Sequence, residues 1–338
     1  HFPQVKSPLE WRAPAFLNIR TNWRNFLDLY SFGWALAWIL CHALFCVLVP
    51  LGSRVQGMPS TRRIVSRNNG LLALVGTILG VGVAHYMKCT SLTTYPLDNL
   101  TSIITSFTII SCIGSLVLYI KSRYASRSAI NPEANSGCPP YDLFIGRELH
   151  PRALFGRLDV KHFLTYRPGL LLWFMLDLLI CLRSFEKTGG SLPPLPLLFL
   201  TFLHAVYIAD LLVFEDQFST TMEYAREGVG FVSVYGNLVF LPFFYSLSTF
   251  YVQAELKHFK TVSYLHLVGP TLIALAGFVV YRAANYQKNL FKREPNHPSV
   301  SGLDKFQSGS RKLLAGGWWR LVRHPNYLGD IIMAWAWA

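Results

Sequence analysis

Six stretches of this chain run for twenty or more residues without a charged side chain, and that feature leaves few folds open. They cover residues 29–53, 68–87, 100–120, 188–209, 228–254 and 261–281. A helix needs about 20 such residues to cross about 30 Å of hydrocarbon. A seventh stretch, 168–182, is interrupted only by Asp177, and residues 331–338 open another. The pattern predicts an all-α polytopic membrane protein with about seven complete spans and the start of an eighth. A large soluble protein would need more charge, since only 14% of these residues are Asp, Glu, Lys or Arg, against about 25% in soluble domains. A membrane β-barrel would show short alternating segments, whereas these runs are continuous. Residues 1–338 read as one transmembrane domain. His1 at the start and an apolar run at the end predict that it is incomplete at both ends, and no signal-peptide pattern opens it.

Charge orients the spans. There are 31 Lys and Arg against 18 Asp and Glu, and the excess gathers in alternate connections. The first holds Arg54, Arg62, Arg63 and Arg67, and the third, 121–167, holds eight bases and four acids. The seventh, after Tyr281, runs from Arg282 through Lys288, Lys292 and Arg293 to Arg323. The intervening connections are short and nearly balanced. Lys/Arg bias puts the odd connections on the cytosolic side. The same positive patches come without a basic helix, a zinc module or an aromatic β-platform, which argues against nucleic-acid reading. The six cysteines show no metal-ligand spacing and read mostly as small apolar residues.

Polar groups at membrane depth are costly and point to a cavity, a partner or a function. Asp177 lies inside one run, and Asp210 closes the next, shortly before Glu215, Asp216 and Glu223. Farther on, Pro242 predicts a bend that frees backbone carbonyls. Tyr235, Asn237 and Tyr245 flank it, either lining a pocket or packing helices. The densest polar group comes last. Asn285, Tyr286, Gln287, Lys288 and Asn289 precede a Gly/Ser/Pro-bearing connection, which leads into Gly316-Gly317-Trp318-Trp319-Arg320-Leu321-Val322-Arg323-His324-Pro325-Asn326-Tyr327-Leu328-Gly329-Asp330. Glycines permit close backbone approach, and an arginine offers a planar fork of donors suited to phosphate. Asn326 and Asp330, four apart, share a helix face. An interfacial aromatic belt would account for the tryptophans alone.

Residues 313–330 resemble the signature of the sterol C14-reductase family. Four further stretches agree: 141–152 (Tyr-Asp-Leu-Phe-Ile-Gly-Arg-Glu-Leu-His-Pro-Arg), Arg167-Pro168-Gly169, 236–247, and 285–289 with the basic residues after it. The resemblance covers almost the whole chain and is nearest to the lamin B receptor branch. It implies a ten-span protein of the endoplasmic reticulum or inner nuclear membrane that uses NADPH to reduce the C14–C15 double bond of a sterol intermediate entering from the bilayer lipid. Residues 282–330 would then form a cytosol-facing nucleotide pocket. In it Lys288, Lys292 and Arg323 would meet phosphates, Trp319, Asn326 and Tyr327 would place the rings, and Leu314 would pack against them. Tyr245 would belong to the proton-donating network, and no metal is implied. The chain departs from the family pattern with Phe214 before the paired acids, Asn237 after Gly236, Lys292 in place of an arginine, and Arg320 in place of a glycine. Phe214 and Asn237 predict weakened reduction. They also raise a second expectation, a catalytically inactive membrane anchor joined to B-type lamin and chromatin through an N-terminal region outside this chain.

Overall fold

Helices account for every apolar run. The computed structural model describes residues 26–56, 65–255, 262–308 and 311–337. Six of its helical segments are long and apolar enough to cross a membrane. In chain order they are α1 (Leu29–Leu48), α3 (Leu100–Ser122), α4 and α5 (Val160–Tyr166 and Pro168–Lys187, in line), α6 (Leu195–Val213), α7 (Phe231–Ala254) and α8 (Tyr264–Arg293). The apolar helix α2 (Gly70–Tyr86) has 17 residues, and α9 (Pro325–Trp337) begins the next span. Helices that are apolar on every side are stable only in lipid or deep inside a bundle. Both solutions occur here. α5 is enclosed, with Leu171 and Trp173 wholly buried, whereas α1 turns Leu36, Leu40, Leu44 and Leu48 outward.

Local chemistry sets the details. Asp28 caps α1 by accepting from the Tyr30 and Ser31 amides at 3.2 and 3.0 Å. α3 buries Ser106, Ser111 and Ser115, whose hydroxyls donate to carbonyls one turn back at 2.6–2.7 Å. Small self-satisfied side chains let neighbouring helices come close in lipid. In α7 the expected disturbance at Pro242 takes the form of a π-turn over Gly236–Phe240. Proline donates no hydrogen bond, and the wider turn redistributes the carbonyls before it. The Asn237 amide nitrogen donates to the Ser233 carbonyl at 2.8 Å. Gly169 at the start of α5 presses on this turn, and a methyl group there would stand 3.0 Å from the Asn237 carbonyl carbon.

α8 exceeds its charge-free run. Its 30 residues span about 45 Å at 1.5 Å per residue. Arg282 to Arg293 therefore continue the helix past the hydrocarbon instead of forming the connection that the charges suggested. Three two-stranded antiparallel hairpins occur among the described residues, all in the connections: Ser53–Gln56 with Val65–Asn68, Arg152–Ala153 with Leu158–Asp159, and Lys305–Ser308 with Arg311–Leu314.

The alternation of connections is visible as contacts. Arg167 of the third bonds Asn69 of the first at 3.1 Å and Glu215 of the fifth at 2.6 Å, and Arg293 at the end of α8 reaches the Asp216 carbonyl at 2.7 Å. At the other end Arg183 bonds Asp98 at 2.6 Å, and His85 lies 3.5 Å from Glu186. Odd connections meet odd, and even meet even.

Candidate functional site

Two neighbouring regions combine buried polarity with an apolar surround. The first is a cluster of packed aromatic rings, here termed the aromatic chamber, contributed by α5, α6, α7, α8 and α9. At its base Asp177 and His204, both wholly buried, face each other at 2.7 Å from Oδ2 to Nδ1. A lone carboxylate at this depth would be strongly disfavoured, so the imidazole is what makes Asp177 tolerable. The Trp173 indole N–H points to the same Nδ1 at 3.3 Å. His204 Nε2 and Asp177 Oδ1 have no partner among the described residues. Trp173 carries the contact onward, its ring lying 5.0 Å from Tyr245 and 5.9 Å from Tyr207. The Tyr207 hydroxyl lies close to the Asp330 carboxylate of α9. Tyr281 of α8 and Trp337 of α9 close the wall, 6.1 and 5.6 Å from the Tyr207 ring. Toward the odd connections, Arg282 lies 3.4 Å from Asp210 and 4.1 Å from the Phe214 ring centre.

α8 and α9 can approach because Gly277 and Gly329 face each other. A methyl group on Gly329 would stand 2.7 Å from the Gly277 carbonyl oxygen and 2.8 Å from the Tyr281 Cα. That closeness brings Asp330 to Tyr207.

The second region is the polar end of α8. Lys288 bonds Asn285 at 3.2 Å, and Lys292 donates to the Thr220 carbonyl at 2.6 Å. Arg293 instead has the Asp216 carboxylate at 3.4 Å and faces a cleft of about 690 Å³ lined by Ser53, Asn68, Leu72, Val213 and Asp216. Among the described residues Lys292 therefore has no acid partner, while Arg293 beside it is paired with one. The Trp319 indole donates to the Ala284 carbonyl at 3.2 Å, and the Trp318 amide donates to Gln287 at 3.1 Å. Gly317 has φ +63°, and a side chain there would strike Gln287, so glycine is required for this fit. Leu314 packs on the small cluster of Leu290, Phe291 and Val300. Asn326 is buried, and its Oδ1 has no hydrogen-bond donor among the described residues. Arg323 is exposed, and Tyr327 is exposed with its ring 5.1 Å from that of His324. Below this region burial raises the Glu215 carboxyl above its ordinary range, and Arg167 opposes the shift.

A family model described as ergosterol biosynthesis ERG4/ERG24 matches residues 10–338. The chain belongs to the ERG4/ERG24 family. It is 37% identical over 310 residues to the Delta(14)-sterol reductase LBR of Gallus gallus, covering 91% of this chain and 47% of that protein. It is 38% identical over 273 residues to the Delta(14)-sterol reductase TM7SF2 of Mus musculus, covering 80% and 63%. With the Delta(14)-sterol reductase erg24B of Aspergillus fumigatus it shares 33% over 325 residues, covering 90% and 62%. The chain spans between about half and two thirds of the length of these relatives. ERG4/ERG24 membership and the helical spans together make this a multi-pass membrane protein.

Within this family member the sequence-expected residues separate into groups. Tyr245 reaches the chamber. Tyr235 stacks on Phe231 at 5.3 Å, and Asn237 bonds its own helix, so these two pack α7 and do not line a pocket with Tyr245. Lys288, Lys292, Leu314 and Trp319 gather around the end of α8. Asn326 is buried at the start of α9, and Arg323 and Tyr327 stand outside it. His204 and Tyr281 gave no sequence signal, because each is a single residue in an apolar run and gains meaning only from its partner on another helix.

Proposed function

We propose that this protein reduces the C14–C15 double bond of a sterol intermediate with NADPH, the intermediate entering from the bilayer. The observation that carries the proposal is the aromatic chamber. It packs the Tyr207, Tyr245 and Tyr281 rings with Trp173 and Trp337 beside the wholly buried Asp177–His204 pair, and relatives sharing 33–38% identity are named Delta(14)-sterol reductases. NADPH suits the residues present. Lys292 offers an ammonium that meets a carbonyl and no acid among the described residues, and Asn326 a buried acceptor with no donor among them. Lys288, Lys292 and Arg323 would hold the phosphates, Trp319, Asn326 and Tyr327 the rings, and Leu314 one apolar edge. The bound nucleotide supplies hydride, and the protein supplies orientation and electrostatics.

The remaining chemistry is the chain's own. Tyr245 holds the proton delivered to the sterol alkene, and Trp173 fixes the angle of its ring. The apolar walls of α5 and α6 keep water from capturing the cation that protonation leaves on the sterol. Asn237 lies eight residues from Tyr245 in α7, about 12 Å along a helix, and takes no proton from the chamber. Phe214 supplies a ring face to Arg282. Both departures from the family pattern have packing roles here, and the inert anchor is the outcome in which the unmodified protein restores no sterol reduction. On this reading the protein would reside in the endoplasmic reticulum or inner nuclear membrane. Expression of the complete protein in cells lacking Δ14-sterol reductase tests the reading. Restored sterol profiles are expected from the unmodified protein and not from Tyr245→Phe. Persistence of the unreduced intermediate with well-folded unmodified protein would refute it.

A further inference from the structure

The short 3-10 helix Glu215–Thr220 has a buried anchor at one end, Lys292 of α8 at the other, and Arg293 of α8 alongside it. At the buried end, Glu215 Oε2 accepts from Arg167 Nη1 at 2.6 Å, and Oε1 accepts from the Gly70 amide at 3.2 Å. Arg167 is wholly buried and also donates to Asn69 Oδ1 at 3.1 Å and to the Tyr166 carbonyl at 3.1 Å. One guanidinium thus ties the first, third and fifth connections together. The space is tight, since a methyl group on Gly70 would stand 2.8 Å from Leu212 Cδ2 and 2.9 Å from Glu215 Oε2. At the other end, the Thr220 carbonyl accepts from Lys292 at 2.6 Å, while Arg293 runs along the helix, donating to the Asp216 carbonyl beside the anchor at 2.7 Å and to the Ser219 hydroxyl at 3.1 Å.

Six residues of 3-10 helix do not hold their own position, because short 3-10 segments have poor hydrogen-bond geometry. Anchors at the ends decide where such a segment lies. Glu215 to Thr220 covers about 10 Å at 2 Å per residue, so a shift at the carboxylate displaces the carbonyl that receives Lys292. A neutral carbonyl also orients the ammonium without cancelling its charge, which a carboxylate at the same place would do.

We infer that Glu215, locked by Arg167, is a positioning residue for nucleotide binding: it fixes Lys292 through the Glu215–Thr220 helix and sets NADPH affinity without touching the nucleotide. The inference rests on the proposed phosphate role of Lys292. Its consequence is energetic coupling between two side chains at opposite ends of one short helix. Independent sites contribute additively, whereas residues acting through one another do not.

The test is a double-mutant cycle on the complete protein in lipid nanodiscs, with NADPH affinity read by titration calorimetry. Lys292→Met and Glu215→Gln are each expected to weaken binding about tenfold, within the usual range for coupled sites. The double variant is expected to weaken it about tenfold as well, not a hundredfold. KM for NADPH should rise in Glu215→Gln, while KM for the sterol and kcat at saturating NADPH stay unchanged. A general loss of structure would not produce that split. If Glu215→Gln does not fold, Glu215→Asp keeps the charge, shortens the reach by one carbon and enters the same cycle. Additive losses, or unchanged affinity in the Glu215 variants, overturn the positioning role and leave Lys292 as a phosphate contact. Unchanged affinity in Lys292→Met overturns the phosphate assignment, and the positioning role falls with it.

Discussion

Replacement of His204 by leucine tests whether the buried pair in the chamber is a true ion–dipole unit. Asp177 and His204 are both wholly buried, and their 2.7 Å contact satisfies only one carboxylate oxygen. Without the imidazole the carboxylate keeps no hydrogen-bond partner among the described residues. Breaking one half of a buried pair costs about 3–5 kcal/mol, and an acid at the centre of a membrane helix costs about 2.5–3.5 kcal/mol on insertion scales. The two figures agree on about 3 kcal/mol for His204→Leu. Replacing both partners removes the charge along with the bond, and apolar substitution of a whole buried pair is often neutral or better. Asp177→Leu with His204→Leu should therefore recover most of the loss. The assay is the thermal midpoint of the complete protein in detergent, followed by fluorescence-detected size exclusion. His204→Leu should melt well below the unmodified protein, and the double variant should return close to it. A double variant as unstable as the single one would refute the reasoning, since the cost would then lie in packing around Trp173 and not in the stranded carboxylate.

Gly329→Ala should cost about 1–3 kcal/mol by overpacking α8 against α9, visible as a lower thermal midpoint, whereas Gly80→Ala, with open space at its Cα, should not. Burial, reinforced by Lys161 and Arg152, pushes His150 down to about 3 from the usual 6.5. A depressed histidine favours the fold while neutral, so its contribution is complete above pH 6.5 and is lost progressively as pH falls toward 3. His150→Asn should flatten the decline of the thermal midpoint between pH 6.5 and 4, and an unchanged decline would refute that assignment. Arg323→Ala should weaken NADPH binding by about 1.5–3 kcal/mol, the range for a hydrogen bond to a charged group, and unchanged calorimetric affinity would remove Arg323 from the phosphate role.

The spans were legible because crossing hydrocarbon demands about 20 consecutive apolar residues, a requirement that each segment meets or fails alone. The grouping of connections followed from charge for the same reason, and the Arg167–Asn69, Arg167–Glu215 and Arg293–Asp216 contacts agree with it. The disturbance before Pro242, a π-turn, and the close approach of Gly317 were also readable, since each depends on one residue's backbone chemistry. Lys288, Lys292 and Trp319 were grouped by the family resemblance and not by closeness along the chain, since Trp319 lies 27 residues after Lys292. Pairings between helices were not legible. Asp177 declared a cost in the sequence, but its partner His204 is an unremarkable member of a run 27 positions later. Likewise, nothing local told Tyr245, which reaches the chamber, from Tyr235, which stacks on its own helix. The continuation of α8 past Tyr281 was hidden too, since charge marks where a helix leaves lipid and not where it ends. The sequence by itself determined which segments enter the membrane and on which end each connection gathers, because burial in lipid is a property of composition. Only the tertiary structure decided which buried polar groups meet, because the rotation and closeness of helices are set by shape, as where Gly277 and Gly329 bring Asp330 to Tyr207.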